Sequence, residues 1–566
     1  MKRIFKILKL IPPLLLWSLP FAFLLVFYFQ PVLANFRMAW LATTDVFVAS
    51  SWSVLARPLY FTIWQATLST LLTMIVGFPA AYLMAKYRFI GKSFIRLLTT
   101  IPFIMPTVVV AAGFNALLGP KGWLNLLMQS IFSLNQPPIQ ILNTLGAILL
   151  AHVFYNSTVF IRIVGGAWSQ LDPKIEFAAR TLGASPLRVL QKITIPLLKP
   201  ALLSAILLVF LFNFTSFAVI LLLGGPKFST LEVEIYIQAL HMLNLPMAGL
   251  LSAIQLTFTL VLTILYTRLI KTKSVALTPR DPEEIAKPIV GCRQRLFLIG
   301  TMSYLIILFV LPLLSLVLRS FMFTDIHKNA AGISNTRFTM VYYQELFLNR
   351  RESLFYVPPI DAILNSLYFG LVTVGIALFL GFLAARVISS RSRWGKLLDP
   401  ILMLPLGTSA VTLGLGFILV FNRPPIDVRS FPLLIPIAHS LVAMPFVVRI
   451  LQPVMRSIPL ELKYSAMVLG ASPWRTFWEV EFPILFRAGV SAALFAFTIS
   501  LGEFGATTFL ARPEQPTIPI AIYRYLSQPG GLNYGQAMAM STILMIICSL
   551  SIILIERLNL PNIKEF

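Results

Sequence analysis

Long stretches free of Asp, Glu, Lys and Arg recur along this chain. They cover residues 10–36, 58–85, 97–120, 122–161, 200–226, 235–267, 296–318, 362–385, 400–422, 430–448, 488–511 and 525–555, the eleventh interrupted by one acid, Glu503. About 20 apolar residues in helical form cross the hydrocarbon core of a bilayer. The 19 residues of 430–448 alone could be a buried helix of a soluble domain, but twelve windows in series could not. The pattern predicts an all-α polytopic membrane protein with about twelve transmembrane helices. The first window follows Lys2, Arg3, Lys6 and Lys9, as a signal peptide would. It is longer than the roughly 7–15 residues of a signal h-region and lacks an Ala-x-Ala site, so a retained helix is expected.

Composition agrees: the 566 residues are 58% hydrophobic and 12% charged, with a mean hydropathy of +0.84. A formal charge of +24 would suggest nucleic acid as partner of a soluble protein. In a membrane protein the positive-inside rule explains it more simply. Lys86, Arg88, Lys92 and Arg96 share one short loop, and Arg386, Arg391, Arg393 and Lys396 another. Lys271, Lys273, Arg280, Lys287, Arg293 and Arg295 lie in a central linker. With the basic N-terminus these clusters fall on one face, which places both termini in the cytoplasm. The opposite face is less clean, with Arg319, Lys328, Arg337, Arg350 and Arg351 in its longest loop. Cys292 in the linker and Cys548 in the last window suit neither a disulfide nor a metal site.

The chain also repeats itself. "EFAARTLGASPLRVLQKITIP" from Glu176 returns as "KYSAMVLGASPWRTFWEVEFP" from Lys463, so that Gly183 meets Gly470 at an offset of 287. The offset holds from His152 and His439 to Phe217 with Phe504 and Tyr236 with Tyr523. Upstream it becomes 303, pairing Pro102 and Gly113 with Pro405 and Gly416. The organisation predicted is a first transmembrane half at 1–270, a cytoplasmic linker at 271–295 and a second transmembrane half at 296–566. Six spans per half is an even number, so both copies enter the membrane in the same sense, related by an axis along its normal with a pathway between them.

The repeated polar stretch reads as two short helices joined at a bend. Asp172-Pro173 offers an N-cap and a first-turn proline, Gly183 ends the first helix, and Ser185-Pro186 starts the second. Gly470 and Ser472-Pro473 repeat the device. Phe177 and Leu182, or Tyr464 and Leu469, stand beside small residues on a cytoplasmic surface that suits docking into a groove of another protein. The alternative is a loop that packs only on its own bundle.

These residues resemble the EAA loop of bacterial ABC importer permeases. The matching positions are Ala178, Ala179, Gly183, Ile193 and Pro196, then Ser465, Ala466, Gly470, Val480 and Pro483. The motif's usual glutamate falls at Phe177 and Tyr464; Glu176 lies next to it in the first copy, but Lys463 takes that place in the second, so the two loops are expected to grip their partner unequally. The resemblance implies a multi-pass protein of the bacterial cytoplasmic (inner) membrane. It implies coupling loops, with Glu176, Ala178, Ala179, Gly183, Ser465, Ala466 and Gly470 as their residues, that insert into a separate pair of ATPase subunits. ATP would be bound by that partner, with no cofactor and no metal site in this chain, which is not itself an enzyme. "GKS" at Gly91–Ser93 is not a P-loop, because Lys86 stands where its first glycine belongs.

Glu503, in "SLGEFGATTFL", is the one carboxylate inside the windows, and its counterparts lie in "NFTSFAVILLL" as Asn213, Thr215 and Ser216. A charge in lipid costs on the order of 3 kcal/mol or more and so faces a cavity or a partner. Glu503 either lines a translocation path or serves as a structural hydrogen-bond acceptor, the second being preferred. The four groups are expected to face each other across the axis. His152 and His439 are expected to be satisfied packing groups rather than metal ligands. "FTSFAVILLLGGPKFSTLEVEIY", "SLGEFGATTFLARPEQPTIPIAIY" and the fusion of two halves resemble the iron(III) and thiamine permeases over nearly the whole chain. Iron(III) is the cargo expected first, thiamine the alternative and an oxyanion a third, each delivered by an external binding protein. A secondary transporter would more typically show inverted repeats or several intramembrane ionisable groups. A membrane enzyme would need a constellation of reactive residues that the sequence does not offer.

Overall fold

A computed structural model of the chain describes residues 18–42, 49–272, 286–324, 336–348, 357–389, 399–423, 426–427 and 431–557. Among these, ten helices are long and apolar enough to cross a membrane. Ser18–Ala42, Val54–Lys86, Leu145–Ser169, Pro186–Phe214 and Leu245–Arg268 belong to the first half. Cys292–Ser320, Pro359–Ser389, Leu434–Ser457, Pro473–Gly502 and Gly531–Arg557 belong to the second.

The third span of each half departs from a straight helix. Lys92–Ile104 meets Thr107–Phe132 at 109°, and Asp399–Gly407 meets Ala410–Val420 at 98°. In the first, Met105 is extended ahead of Pro106, because a residue before proline is driven out of the helical region. In the second, the Ser409 hydroxyl accepts hydrogen bonds from the Val411 and Thr412 amides and so starts a new helix. Counting each bent pair as one span gives the twelve expected, six per half. Among the described residues three two-stranded ribbons lie in the connections: Tyr87–Arg88 with Lys287–Pro288, Met322–Thr324 with Thr336–Phe338, and Asn422–Arg423 with Ile426–Asp427. Much of the expected linker and of the charge pattern, including Lys2, Arg3, Lys6, Lys9, Lys273, Arg280, Lys328, Arg350, Arg351, Arg391, Arg393 and Lys396, lies outside the described residues.

Equivalent positions make equivalent contacts in the two halves. The Leu231 amide donates to Thr62 Oγ1 at 2.9 Å, and the Ile518 amide, 287 residues on, donates to Ser366 Oγ at 2.7 Å. A Cβ at Gly77 would meet Phe160, and one at Gly381 would meet Val447, the counterpart of Phe160.

The first span of each half packs on the other half. Leu24 and Tyr28 join the core built around Leu413, Phe417 and Leu441, while Leu305, Phe309 and Leu316 join that of Val109, Phe114 and Phe154. Tyr28 Oη pairs with Thr408 Oγ1 at 2.7 Å, and Asn35 Nδ2 donates to the Thr412 carbonyl at 2.8 Å. A Cβ at Gly416 would lie 2.6 Å from the Pro31 carbonyl oxygen, and one at Gly113 3.1 Å from that of Pro312. These glycines let a foreign helix backbone approach to contact distance. Because the contact is made twice, once in each direction, it has twofold character. Gly416→Ala should therefore lower the melting temperature in detergent, an overpacking cost of about 1–3 kcal/mol. Gly375→Ala, with open space around its Cβ, should leave it unchanged or raise it slightly.

Candidate functional site

The repeated polar stretch forms the bent pair of short helices that its caps predict. Pro173–Thr181 starts where Asp172 Oδ1 accepts from the Lys174 amide at 2.9 Å. Pro186–Val189 and Pro473–Thr476 start where the Ser185 and Ser472 hydroxyls accept from the Arg188 and Arg475 amides. Between each pair the chain turns through a left-handed glycine, Gly183 at φ +84° and Gly470 at φ +86°. The Ala184 amide reaches back to the Ala179 carbonyl, and the Ala471 amide to that of Ala466, both at 3.0 Å. This six-residue closure is a common way to satisfy a helix C-terminus, and glycine adopts its turning conformation without steric cost.

The bend leaves apolar side chains uncovered. Leu182 is 88% exposed and Leu469 86%, with Phe177, Tyr464 and Trp474 also on the surface. Ala178 and Ser465 are exposed, and Ala179 and Ala466 half-buried, so the small residues of the two loops occupy matched positions.

The charges are arranged differently from expectation. Glu176 faces its own bundle, where Lys86 Nζ lies 2.6 Å from Oε2 and Thr194 Oγ1 donates to Oε1 at 3.0 Å. In the second loop the acid has moved to Glu481, the counterpart of Thr194, which binds Arg386 at 2.6 Å and Lys463 at 2.9 Å. The sign at the loop position is reversed, yet each loop is tied to its bundle by a carboxylate and a cation from the second span of its half. The expectation of unequal grip from Glu176 and Lys463 is thereby corrected, since both charges are used internally. A difference that does reach the surface comes from the linker: Lys287 Nζ sits 4.2 Å from the centroid of the Phe177 ring.

Within the membrane the two repeat histidines, Glu503 and its counterparts Asn213, Thr215 and Ser216 find partners inside their own halves. His152 bridges Ser69 Oγ at 2.9 Å and Ser216 Oγ at 2.8 Å. Asn213 accepts from Asn156 Nδ2 at 2.7 Å and donates to Thr70 Oγ1, while Thr215 Oγ1 donates to the Leu211 carbonyl. His439 bonds Ser500 Oγ and Thr507 Oγ1, each at 2.8 Å, and lies 3.2 Å from Glu503 Oε2. Glu503 caps the short helix Gly505–Leu510, accepting from the Ala506 amide at 2.8 Å and the Thr507 amide at 2.9 Å. This is the arrangement of a structural acceptor, and both histidines are satisfied packing groups.

The expected meeting of Glu503 with Asn213, Thr215 and Ser216 across the axis is corrected, because buried polar groups take the nearest partner that satisfies them. Aromatic rings meet there instead. Phe217 and Phe504, counterparts at the 287 offset, stack at 5.5 Å between centroids, and equivalent residues in mutual contact must lie at the axis relating them. Tyr236 packs on Phe217 at 5.5 Å and Tyr523 on Phe504 at 5.6 Å, with the two phenols in contact. The register of the repeat could have flagged these four, since both pairs are identical aromatics. Glu232, 2% exposed, was missed as well: it lies in the short helix Leu231–Tyr236, just before the apolar window that starts at 235.

A family model described as "Binding-protein-dependent transport system inner membrane component" matches residues 77–275 and again residues 377–565. The chain belongs to this family. It is similar to the thiamine transport system permease protein ThiP of Escherichia coli (strain K12), 26% identical over 541 residues, 93% of each chain. It is also similar to ThiP of Brucella abortus (strain 2308), 27% identical over 510 residues, 88% of this chain and 86% of the relative. A probable ABC transporter permease protein of Sinorhizobium fredii is 24% identical over 560 residues, 96% of this chain and 95% of the relative. The chain is thus an ABC importer permease of the binding-protein-dependent type, a multi-pass inner-membrane protein with the family domain present twice.

The ties of the two loops differ in strength. Glu481→Gln would leave Arg386 and Lys463 without their shared carboxylate, whereas Lys463→Gln leaves the Arg386 pair in place. Glu481→Gln should raise amide hydrogen exchange over residues 460–472 roughly tenfold, about 1.4 kcal/mol of local opening, and Lys463→Gln should raise it less.

Proposed function

We propose that this permease passes thiamine, delivered by an extracytoplasmic binding protein, to the cytoplasm, driven by a separate pair of ATPase subunits that bind ATP. The observation that carries the cargo is the similarity to thiamine permeases over 93% of both chains, in place of the iron(III) expected first. Iron(III) transport has no support among the similar proteins named here, and thiamine, the alternative in the sequence reading, takes its place.

The bent loops are the sites at which the ATPases dock. Each offers a fixed bend, matched small residues and an uncovered apolar tip at Leu182 or Leu469. A groove that clamps such a helix pair transmits its own closure to the spans that follow without a break, Pro186–Phe214 and Pro473–Gly502. The linker contact at Phe177 makes the first docking surface the more covered of the two. With the second span of each half ending at the loops, both termini and the linker lie on the cytoplasmic side.

Reconstituted in proteoliposomes with its ATPase and binding protein, the chain should accumulate radiolabelled thiamine in an ATP-dependent manner and should not accumulate ferric ion. Uptake of ferric ion without thiamine would reverse the cargo assignment. Gly183→Val and Gly470→Val face open space but force a branched side chain into a left-handed backbone, at about 1–2 kcal/mol each. Each should reduce ATP hydrolysis stimulated by the loaded binding protein at least fivefold; unchanged stimulation would remove the docking role.

A further inference from the structure

We propose that Phe217, Tyr236, Phe504 and Tyr523, together with the Glu232 carboxyl group, form a transit site at the axis that passes a flat organic cation between the halves. The proposal rests on the thiamine reading and extends it to particular residues of the membrane subunit.

The placement follows from the repeat. Cargo that moves between two halves along their common axis must pass the residues that meet on it, and these are two aromatic pairs. Phe217, Tyr236 and Phe504 are each less than 8% exposed, so the rings close the passage in this conformation. The Phe217 and Phe504 faces lie within 24° of parallel. Moving the halves apart converts that stack into a slot between two ring faces.

The chemistry of such a slot is selective. Ring faces carry negative potential and attract cations, most strongly where water is excluded. An oxyanion is repelled by the same faces. A ferric ion would require several hard oxygen or nitrogen ligands, and the Phe217 and Phe504 faces that form the slot supply none.

Glu232 adds an acidic group that nothing else in the mechanism uses. It lies four residues before Tyr236 on Leu231–Tyr236, and residues at that spacing share a helix face. Its carboxyl group meets two neutral partners, Gln255 Nε2 at 2.6 Å and Ser409. Ser409 belongs to the second half and precedes Ala410, which packs against Gly505, the residue after Phe504. The carboxyl group therefore bridges the halves beside the rings. Glu503 cannot serve in the same way, because its oxygens cap a helix and face His439.

The test uses the full chain with its ATPase and binding protein in proteoliposomes, measuring radiolabelled thiamine uptake. Phe504→Leu and Tyr523→Leu, which keep bulk but remove the ring, should lower uptake tenfold or more. Phe504→Tyr and Tyr523→Phe, which keep the ring, should remain within threefold of the original. Glu232→Gln, which keeps shape and removes the acid, should lower uptake tenfold. Size-exclusion profiles in detergent check assembly, and the Tyr523 pair substitutes for the Phe504 pair if Phe504→Leu fails to assemble.

Ring-keeping variants that fall as far as ring-removing ones would show a packing role and overturn the proposal. Thiamine uptake that all variants leave within twofold would overturn the transit site while sustaining the cargo. Absence of thiamine uptake by the unaltered protein would overturn both.

Discussion

A polar group buried in a bundle surrounded by lipid has no water to turn to, and the arrangement of this protein follows from where each such group finds its partner. In the first half His152 draws Ser69 and Ser216 together, and Asn213 draws Asn156 and Thr70. In the second half His439 gathers Ser500, Thr507 and Glu503. These networks join the second, fourth and fifth spans of one half to the short helix that follows. With the demand of these groups met within each half, the surface where the halves meet on the axis is left mainly to rings. Beside those rings two polar contacts cross between the halves, Glu232 with Ser409 and the Tyr236 phenol with that of Tyr523.

The halves are also held together by the first spans. Each crosses to the other half and is held there by close backbone approach at Gly416 or Gly113, with Asn35 and Tyr28 adding hydrogen bonds on one side. A helix that packs both on its own half, as at Gly249 beside Asn35, and on the other half links the two. The bent third spans supply the receiving surface, since the turn after Gly407 lets Ser409 cap a new helix directly opposite the incoming first span.

Much of this was legible in the sequence, and the limits have physical causes. The twelve windows, the two halves and the bend of each loop could be read because lipid demands long apolar runs and because Asp172, Ser185 and Ser472 before proline, with glycine at the turn, are local signals. The breaks in the third spans could not be read from hydropathy, which is the same for a bent helix as for a straight one. Glu232 escaped because a window that stops at every acid excludes the acids that protein, rather than lipid, surrounds. The meeting of Phe217 with Phe504 was implicit in the repeat register, but a search for polar chemistry passed over identical aromatics.

The exchange of charge between the loops shows what the duplication has kept and what it has let vary. Glu176 with Lys86 and Thr194 became, in the other half, Lys463 with Glu481 and Arg386. Sequence comparison at one position saw glutamate replaced by lysine and read an electrostatic difference. The structure places the compensating change 18 residues on, at the counterpart of Thr194, within reach of the same junction. A buried or half-buried carboxylate that lost its cation would be costly, so a reversal of sign is tolerated only when both members change. The quantity held constant is the tie between loop and bundle, made in each half by a carboxylate and a cation from the end of the second span.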